Sequence, residues 1–147
     1  MRREIDRYFS QYLASHKLTK DMINNEDTTV IELEDSLIDS IMNKNKKVFT
    51  SCIYAFDSFF KSMPVENSYT IVTFKRNPKC ILKTTKVETI KFKDISSQNI
   101  EIDLKGADID SWKKSHIGIF EKECREAFRV FNPNVPIVIE TFELVYA

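Results

Sequence analysis

Glycine is scarce in this chain, with two in 147 residues, and proline occurs four times. A composition so poor in both excludes a low-complexity or disordered chain. No stretch approaches the ~18 consecutive apolar residues that a membrane-crossing helix needs. The N-terminus, Met1-Arg2-Arg3-Glu4-Ile5-Asp6-Arg7, is charged and lacks the apolar core of a secretory signal. These absences predict a cytoplasmic location and no membrane partner. The three cysteines, Cys52, Cys80 and Cys124, are isolated and odd in number, and no Cys-x-x-Cys occurs. They read as reduced, buried, small apolar residues, without the close ligand pairs of a structural zinc site. No metal and no cofactor are expected. A cysteine nucleophile paired with His16 or His116 has no local motif behind it.

Net charge is also lacking: 22 basic residues face 22 acidic ones. The balance hides a pattern. Residues 1–40 carry a net of −4, residues 41–100 a net of +7 and residues 101–147 a net of −3. The positive segment includes Lys44, Lys46, Lys47, Lys75, Arg76, Lys79, Lys83, Lys86, Lys91 and Lys93. Projecting to one side, such residues attract a phosphate backbone. Spread over strand edges, they keep a sheet from aggregating.

What the chain does have is apolar bulk: 42% hydrophobic residues, with eleven Phe, five Tyr and one Trp. That suffices for one domain with a core and no disulfides. Ile5, Tyr8, Phe9, Tyr12 and Leu13 recur at helical spacing and predict a helix over 4–15. A polar link, 22–29, leads to a short strand at Val30–Leu33. A second helix is predicted from Asp35 to about Asn43, with Leu37, Ile38, Ile41 and Met42 on one face. Val48–Phe56 is rich in β-branched and aromatic residues. Tyr69–Lys75 and Cys80–Phe92 read as a hairpin closed by a turn at Arg76-Asn77-Pro78-Lys79. Residues 94–106 form a polar excursion pinned by Ile95, Ile100, Ile102 and Leu104. A long helix is predicted from Ile109 to about Phe131, with Asp108 as its N-cap. Ile137–Tyr146, apolar on both parities, reads as a closing central strand. No internal repeat is present. The order predicts an α+β fold around a small, mostly antiparallel barrel.

Several segments carry a family resemblance. Phe9-Ser10-Gln11-Tyr12-Leu13 lies on the first helix. Asn45-Lys46-Lys47-Val48-Phe49-Thr50 follows the second. Cys80-Ile81-Leu82-Lys83-Thr84-Thr85-Lys86-Val87 forms the central strand, and Trp112, His116 and Phe120 lie on the long helix. In this order the chain resembles an ASCH domain, a member of the PUA-like group, over nearly its whole length. The resemblance implies a single domain, 1–147, with residues 1–20 a helix packed on a PUA-like β-barrel with flanking helices. The family's Gly-Lys-Lys-Thr-x-Thr-like stretch has Asn45 for its glycine and Val48 for its first threonine. Asn tolerates the left-handed backbone, so the turn survives. The acidic stretch expected before Trp112 is thinned to Glu101 and Asp103, and Glu66-Asn67-Ser68 stands where a Gly-Asp is usual.

The resemblance implies a cavity for a nucleobase, with RNA or a modified nucleoside as partner. A second implication is an amidohydrolase acting on N4-acylcytidine-type nucleosides through a Lys, a Thr and a carboxylate; ribonuclease activity is a further option. Lys47 is the candidate nucleophile or base, since burial and the adjacent Lys46 lower a lysine's pKa. Thr50 is the candidate for orienting water or holding an oxyanion. Glu101 or Asp103 would relay the proton. Lys46, Tyr54, Arg76, His116 and Trp112 are the candidate ligand-binding residues. For Trp112 and His116 the plainer reading is core packing. A third option is a protein-interaction module using the N-terminal helix.

Overall fold

The computed structural model describes residues 2–18, 28–43, 46–57, 62–100 and 108–147. Their contacts gather into two compact units. One comprises 1–46, 65–85 and 142–147; the other comprises 47–64 and 86–141. Five strands form one mixed sheet in the order β1-β3-β4-β5-β2. They are β1 (Thr28–Glu32), β2 (Val48–Cys52), β3 (Tyr69–Phe74), β4 (Asn77–Lys91) and β5 (Pro136–Tyr146). The helices are α1 (Arg2–Ser15), α2 (Asp35–Met42) and α3 (Ile109–Glu126). Strands β4 and β5 each contribute residues to both units. The predicted α+β class stands, and β5 lies inside the sheet as its two-sided apolarity required.

In the first unit, α1 lays its apolar stripe on the sheet. Ile5, Phe9, Tyr12 and Leu13 are buried against Tyr69, Ile71 and Ile81. The Tyr12 ring lies 5.7 Å from that of Tyr69 and 5.6 Å from that of Tyr146. Strand β1 runs parallel to β3, Thr28 opposite Tyr69 through Glu32 opposite Thr73. This parallel pairing needs the long crossover containing α2 and β2. Strands β3 and β4 form the predicted hairpin, with Ile71 opposite Ile81.

The hairpin turn differs from expectation. The two-residue loop is Lys75-Arg76, and Asn77 already pairs with Phe74. Pro78 lies within β4, beside the register shift at Val72/Thr73. A bulge tolerates the missing N–H, so the proline marks an irregular strand start rather than a turn.

In the second unit, β2 pairs antiparallel with β5, Val48 opposite Thr141 through Cys52 opposite Ile137. Residues Ile53–Asp57 then wind into a 3-10 turn, so the strand ends four residues before the expected Phe56. Helix α3 packs on β2 and on that turn. Trp112, Phe120 and Cys124 are buried with Val48, Cys52, Phe92, Ile137 and Ile139. Burying Phe120 contributes roughly 2–3 kcal/mol. Asp108 caps α3 as predicted, its carboxylate accepting from the Ser111 N–H at 2.7 Å.

Helix α3 stops at Glu126 rather than near Phe131. Phe128 takes a left-handed backbone (φ 59°). Its N–H donates to Arg125 O at 3.0 Å, and the Arg129 N–H donates to Cys124 O at 2.8 Å. This is a Schellman ending with phenylalanine where glycine is usual. Periodicity cannot see it, because Phe131 still falls in helical register with Phe128 and Cys124.

Candidate functional site

Strand β2 and helix α3 bring several candidates into the second unit. Lys47 is half-buried at the entry to β2. Thr50, also half-buried, shares strand parity with Val48 and Cys52 and lies opposite Ile139, all three buried core residues. Its hydroxyl therefore belongs to the side of β2 that carries the core. Tyr54 follows in the 3-10 turn with the Arg129 guanidinium 4.3 Å from its ring centroid.

Trp112 and His116, one helical turn apart on α3, stack at 4.0 Å with 15° between planes. Trp112 is buried, as the packing reading required, and His116 is half-buried. The Nδ1 of His116 lies 2.8 Å from the Trp112 carbonyl oxygen. A carbonyl only accepts, so this contact assigns the proton to Nδ1 and, in the neutral ring, a lone pair to Nε2. The same local arrangement recurs on α1. There Tyr12, Ser15 and His16 repeat the spacing of Trp112, Ser115 and His116, and His16 Nδ1 sits 3.1 Å from the Tyr12 carbonyl. The sequence signal for this arrangement is an aromatic-x-x-Ser-His spacing, present at 12–16 and 112–116. Glu101 and Asp103 lie outside the described residues. Among the described residues, no group of three His, Cys, Asp or Glu side chains is placed to hold a metal ion.

Lys46 and Arg76 fall in the first unit. The Lys46 N–H donates to Ser40 O at 3.2 Å beyond the end of α2. Arg76 stands at the tip of the β3–β4 hairpin beside Lys75, both exposed and both left-handed (φ 67° and 49°). Positive φ at both central residues defines a type I′ turn, where Asn-Gly is the usual pair. Two basic residues hold it because Glu32 reaches across from β1. Its carboxylate accepts from the Thr73 hydroxyl at 2.7 Å, the Lys75 N–H at 2.6 Å and the Arg76 N–H at 3.1 Å. These bonds, the Thr73 hydroxyl first, hold the Glu32 carboxyl below its ordinary pKa. A cavity of about 580 Å³ adjoins the turn, lined by Ile5, Val30, Glu32, Thr73, Lys75 and Arg76. Of that group only Arg76 was a sequence candidate. Lys75 was named only among the basic residues of the positive segment, and Glu32 carried no local signal, because their link joins residues 43 apart.

The chain belongs to the ASCH domain family, whose model matches residues 21–146. Among solved structures it is similar to an ASCH domain from Lactobacillus crispatus JV V101. The TM-score is 0.74 at 22% identity, over 97% of this chain and 94% of that one. It is also similar to a protein of Enterococcus faecalis V583, with a TM-score of 0.79 at 20% identity, over 99% of this chain and 90% of that one. At such identities the likeness establishes the fold, which is PUA-like. No curated protein matches the sequence.

Proposed function

We propose that this ASCH protein recognises RNA or a modified nucleoside, using the basic β3–β4 turn and its adjoining cavity. The observation that carries the reading is the juxtaposition in the first unit of two exposed cations with a cavity of about 580 Å³. Ile5 and Val30 supply apolar walls for a base, while Lys75 and Arg76 stand where a phosphate would lie. The Glu32 carboxylate holds the two backbone amides of the turn, which leaves the side chains to meet the ligand. Membership in a PUA-like family often associated with RNA supports the same reading.

The test is fluorescence anisotropy of labelled single-stranded RNA across a salt series. Affinity is expected to fall with salt, and Arg76→Gln and Lys75→Gln are each expected to lower the slope of log K against log salt by about 0.7. Binding indifferent to salt, or equal in all three proteins, would overturn the reading.

A second reading, deacylation of N4-acylcytidine-type nucleosides, draws on Thr50 beside the core and half-buried Lys47 at the entry of the same strand. Mass spectrometry of N4-acetylcytidine incubated with wild type and Lys47→Ala decides it. Cytidine released by wild type alone supports the reading, and cytidine from neither removes this substrate.

A further inference from the structure

The second unit has a cleft of about 430 Å³ at the C-terminal end of α3, lined among others by Tyr54, Asp57, Glu123, Glu126 and Phe128. Three of its lining residues are carboxylates and none is basic. The last turn of α3 adds the negative end of the helix dipole. Phe128 adds an apolar side chain to the acidic wall, and two further exposed apolar residues lie near it in the chain. Phe128 is 97% exposed and Val130 84% exposed, and one turn back on the face of Glu123 and Glu126 lies Ile119, 53% exposed. Large apolar side chains this exposed, clustered beside a concavity, mark an interaction surface rather than scattered surface residues.

Phe128 makes the cluster harder to dismiss. Its backbone conformation favours glycine, and its ring makes no use of the core. A Schellman ending also closes α1, and it follows the ordinary pattern. At the end of α1, left-handed Lys17 is exposed, while Leu18 packs into the core beside Leu13. At the end of α3 the roles invert: the aromatic is exposed and the charged Arg129 folds back over Tyr54. Folding gains the Arg129 contact with Tyr54 but no core burial from the Phe128 ring.

The geometry points to this cleft as a docking site for a basic segment of a protein partner, carrying lysine or arginine beside apolar residues. Charge complementarity selects the occupant. A cationic head meets Asp57 and Glu126, beside Glu123, whose carboxylate also accepts from the Cys52 N–H at 3.0 Å; its methylene stem lies along the Phe128 ring, and an apolar neighbour covers Val130. Arg129 over Tyr54 already displays the cation–ring chemistry. Lys122, 3.9 Å from Glu126, is a weak competitor, since both side chains are about two-thirds exposed. A phosphate backbone would meet three carboxylates, and a two-fold contact of this cleft with the same cleft on a second copy would set like charges face to face.

The experiment uses the full chain and two fluorescein-labelled twelve-residue peptides. One alternates leucine with lysine or arginine; the other alternates leucine with glutamate or glutamine. The basic peptide is expected to bind with salt-sensitive affinity and the acidic one not at all. Phe128→Gly is expected to weaken binding about tenfold or more, as truncating an aromatic anchor does. The same variant is expected to raise Tm, so the loss is not a folding defect. Glu126→Lys is expected to weaken binding without changing Tm by more than a degree or two. Absence of basic-peptide binding, or equal binding by Phe128→Gly, overturns the proposal. So does a concentration-dependent doubling of mass that Phe128→Gly abolishes, which would make a second copy the occupant. A fall in RNA affinity in Phe128→Gly would assign the face to nucleic acid and overturn it too.

Discussion

Replacing Lys75-Arg76 by Asn-Gly separates what the β3–β4 turn does for stability from what it does for binding. Each left-handed residue other than Gly, Asn or Asp costs roughly 1–2 kcal/mol, and both Lys75 and Arg76 adopt that conformation. The Glu32 bonds to this turn end on backbone N–H groups and on Thr73, so they survive the exchange. The new glycine returns about 0.5–1 kcal/mol through added freedom in the unfolded chain. The net expectation is a gain of at least about 1 kcal/mol, the lower bound of these figures. That gain corresponds to a Tm increase of roughly 2–4 °C at this chain length, and to a urea midpoint higher by about 0.5 M. In the same variant the salt slope of single-stranded RNA binding should fall by about 1.4, from two lost phosphate contacts. Urea unfolding followed by tryptophan fluorescence, with anisotropy on the same samples, measures both quantities. A variant no more stable than wild type would refute the strain argument. A more stable variant with an unchanged salt slope would refute the assignment of this turn to RNA.

Phe120→Ala should cost about 3–4 kcal/mol, because it empties a fully buried position between Phe92 and Trp112. Ile119→Ala, one residue away and half exposed, should change stability by less than about 0.5 kcal/mol; equal costs in urea unfolding would contradict the packing described. Stability should also decline in acid. Glu32 and Asp108 titrate below their ordinary values of 4.5 and 3.8, for Glu32 chiefly through the Thr73 hydroxyl and for Asp108 through the Ser111 N–H. Each contribution is present above the ordinary value and lost as pH falls through the lower folded-state value. Glu32→Gln and Asp108→Asn should therefore each flatten the pH profile of unfolding below about pH 4.5, and a profile as steep as wild type in both would exclude these groups. Cys52 and Cys124 lie 3.3 Å apart and fully buried, with burial pushing the Cys52 thiol up to about 12. Thiol labelling at pH 8 should be about a thousandfold slower in the folded protein than in urea, and rapid labelling of native protein would mean that α3 lifts from β2.

Much of this fold was readable because its signals are local. The α1 stripe, the Asp108 cap and the two-sided apolarity of β5 each follow from residues within one element. The errors arise where a distant partner decides the local conformation. Lys75-Arg76 carries no turn signature, since the residue that secures the turn, Glu32, is remote in sequence. Asn77-Pro78 does carry one, yet a bulge in the β3 pairing absorbs it. The end of α3 was read too far along because Phe128 and Phe131 continue the apolar period, and exposure cannot be read from period. The candidate site was legible in proportion. Trp112, His116, Thr50 and Arg76 were named from motif and charge, and Lys75 from charge alone, whereas Glu32 and the apolar border of the acidic cleft depend on contacts that no sequence spacing encodes.

The scarcity of glycine connects these departures. Five described residues adopt left-handed backbones, Lys17, Asn67, Lys75, Arg76 and Phe128, and none is glycine. Asn67 is at ease there. For the other four, one explanation is a chain that simply fills turns with whatever residue is at hand; the other is selection of particular side chains at particular turns. Lys17→Gly discriminates between them. It relieves the same backbone strain at the end of α1, so it should stabilise by about 0.5–1 kcal/mol, yet it touches neither the hairpin turn nor the acidic cleft. If Lys17→Gly stabilises without altering RNA or peptide binding, while glycine at Arg76 stabilises and weakens RNA binding and glycine at Phe128 stabilises and weakens peptide binding, the two strained sites are held in that state by their ligands. If all three substitutions raise Tm and none changes binding, the left-handed side chains are incidental, and both docking assignments fail together.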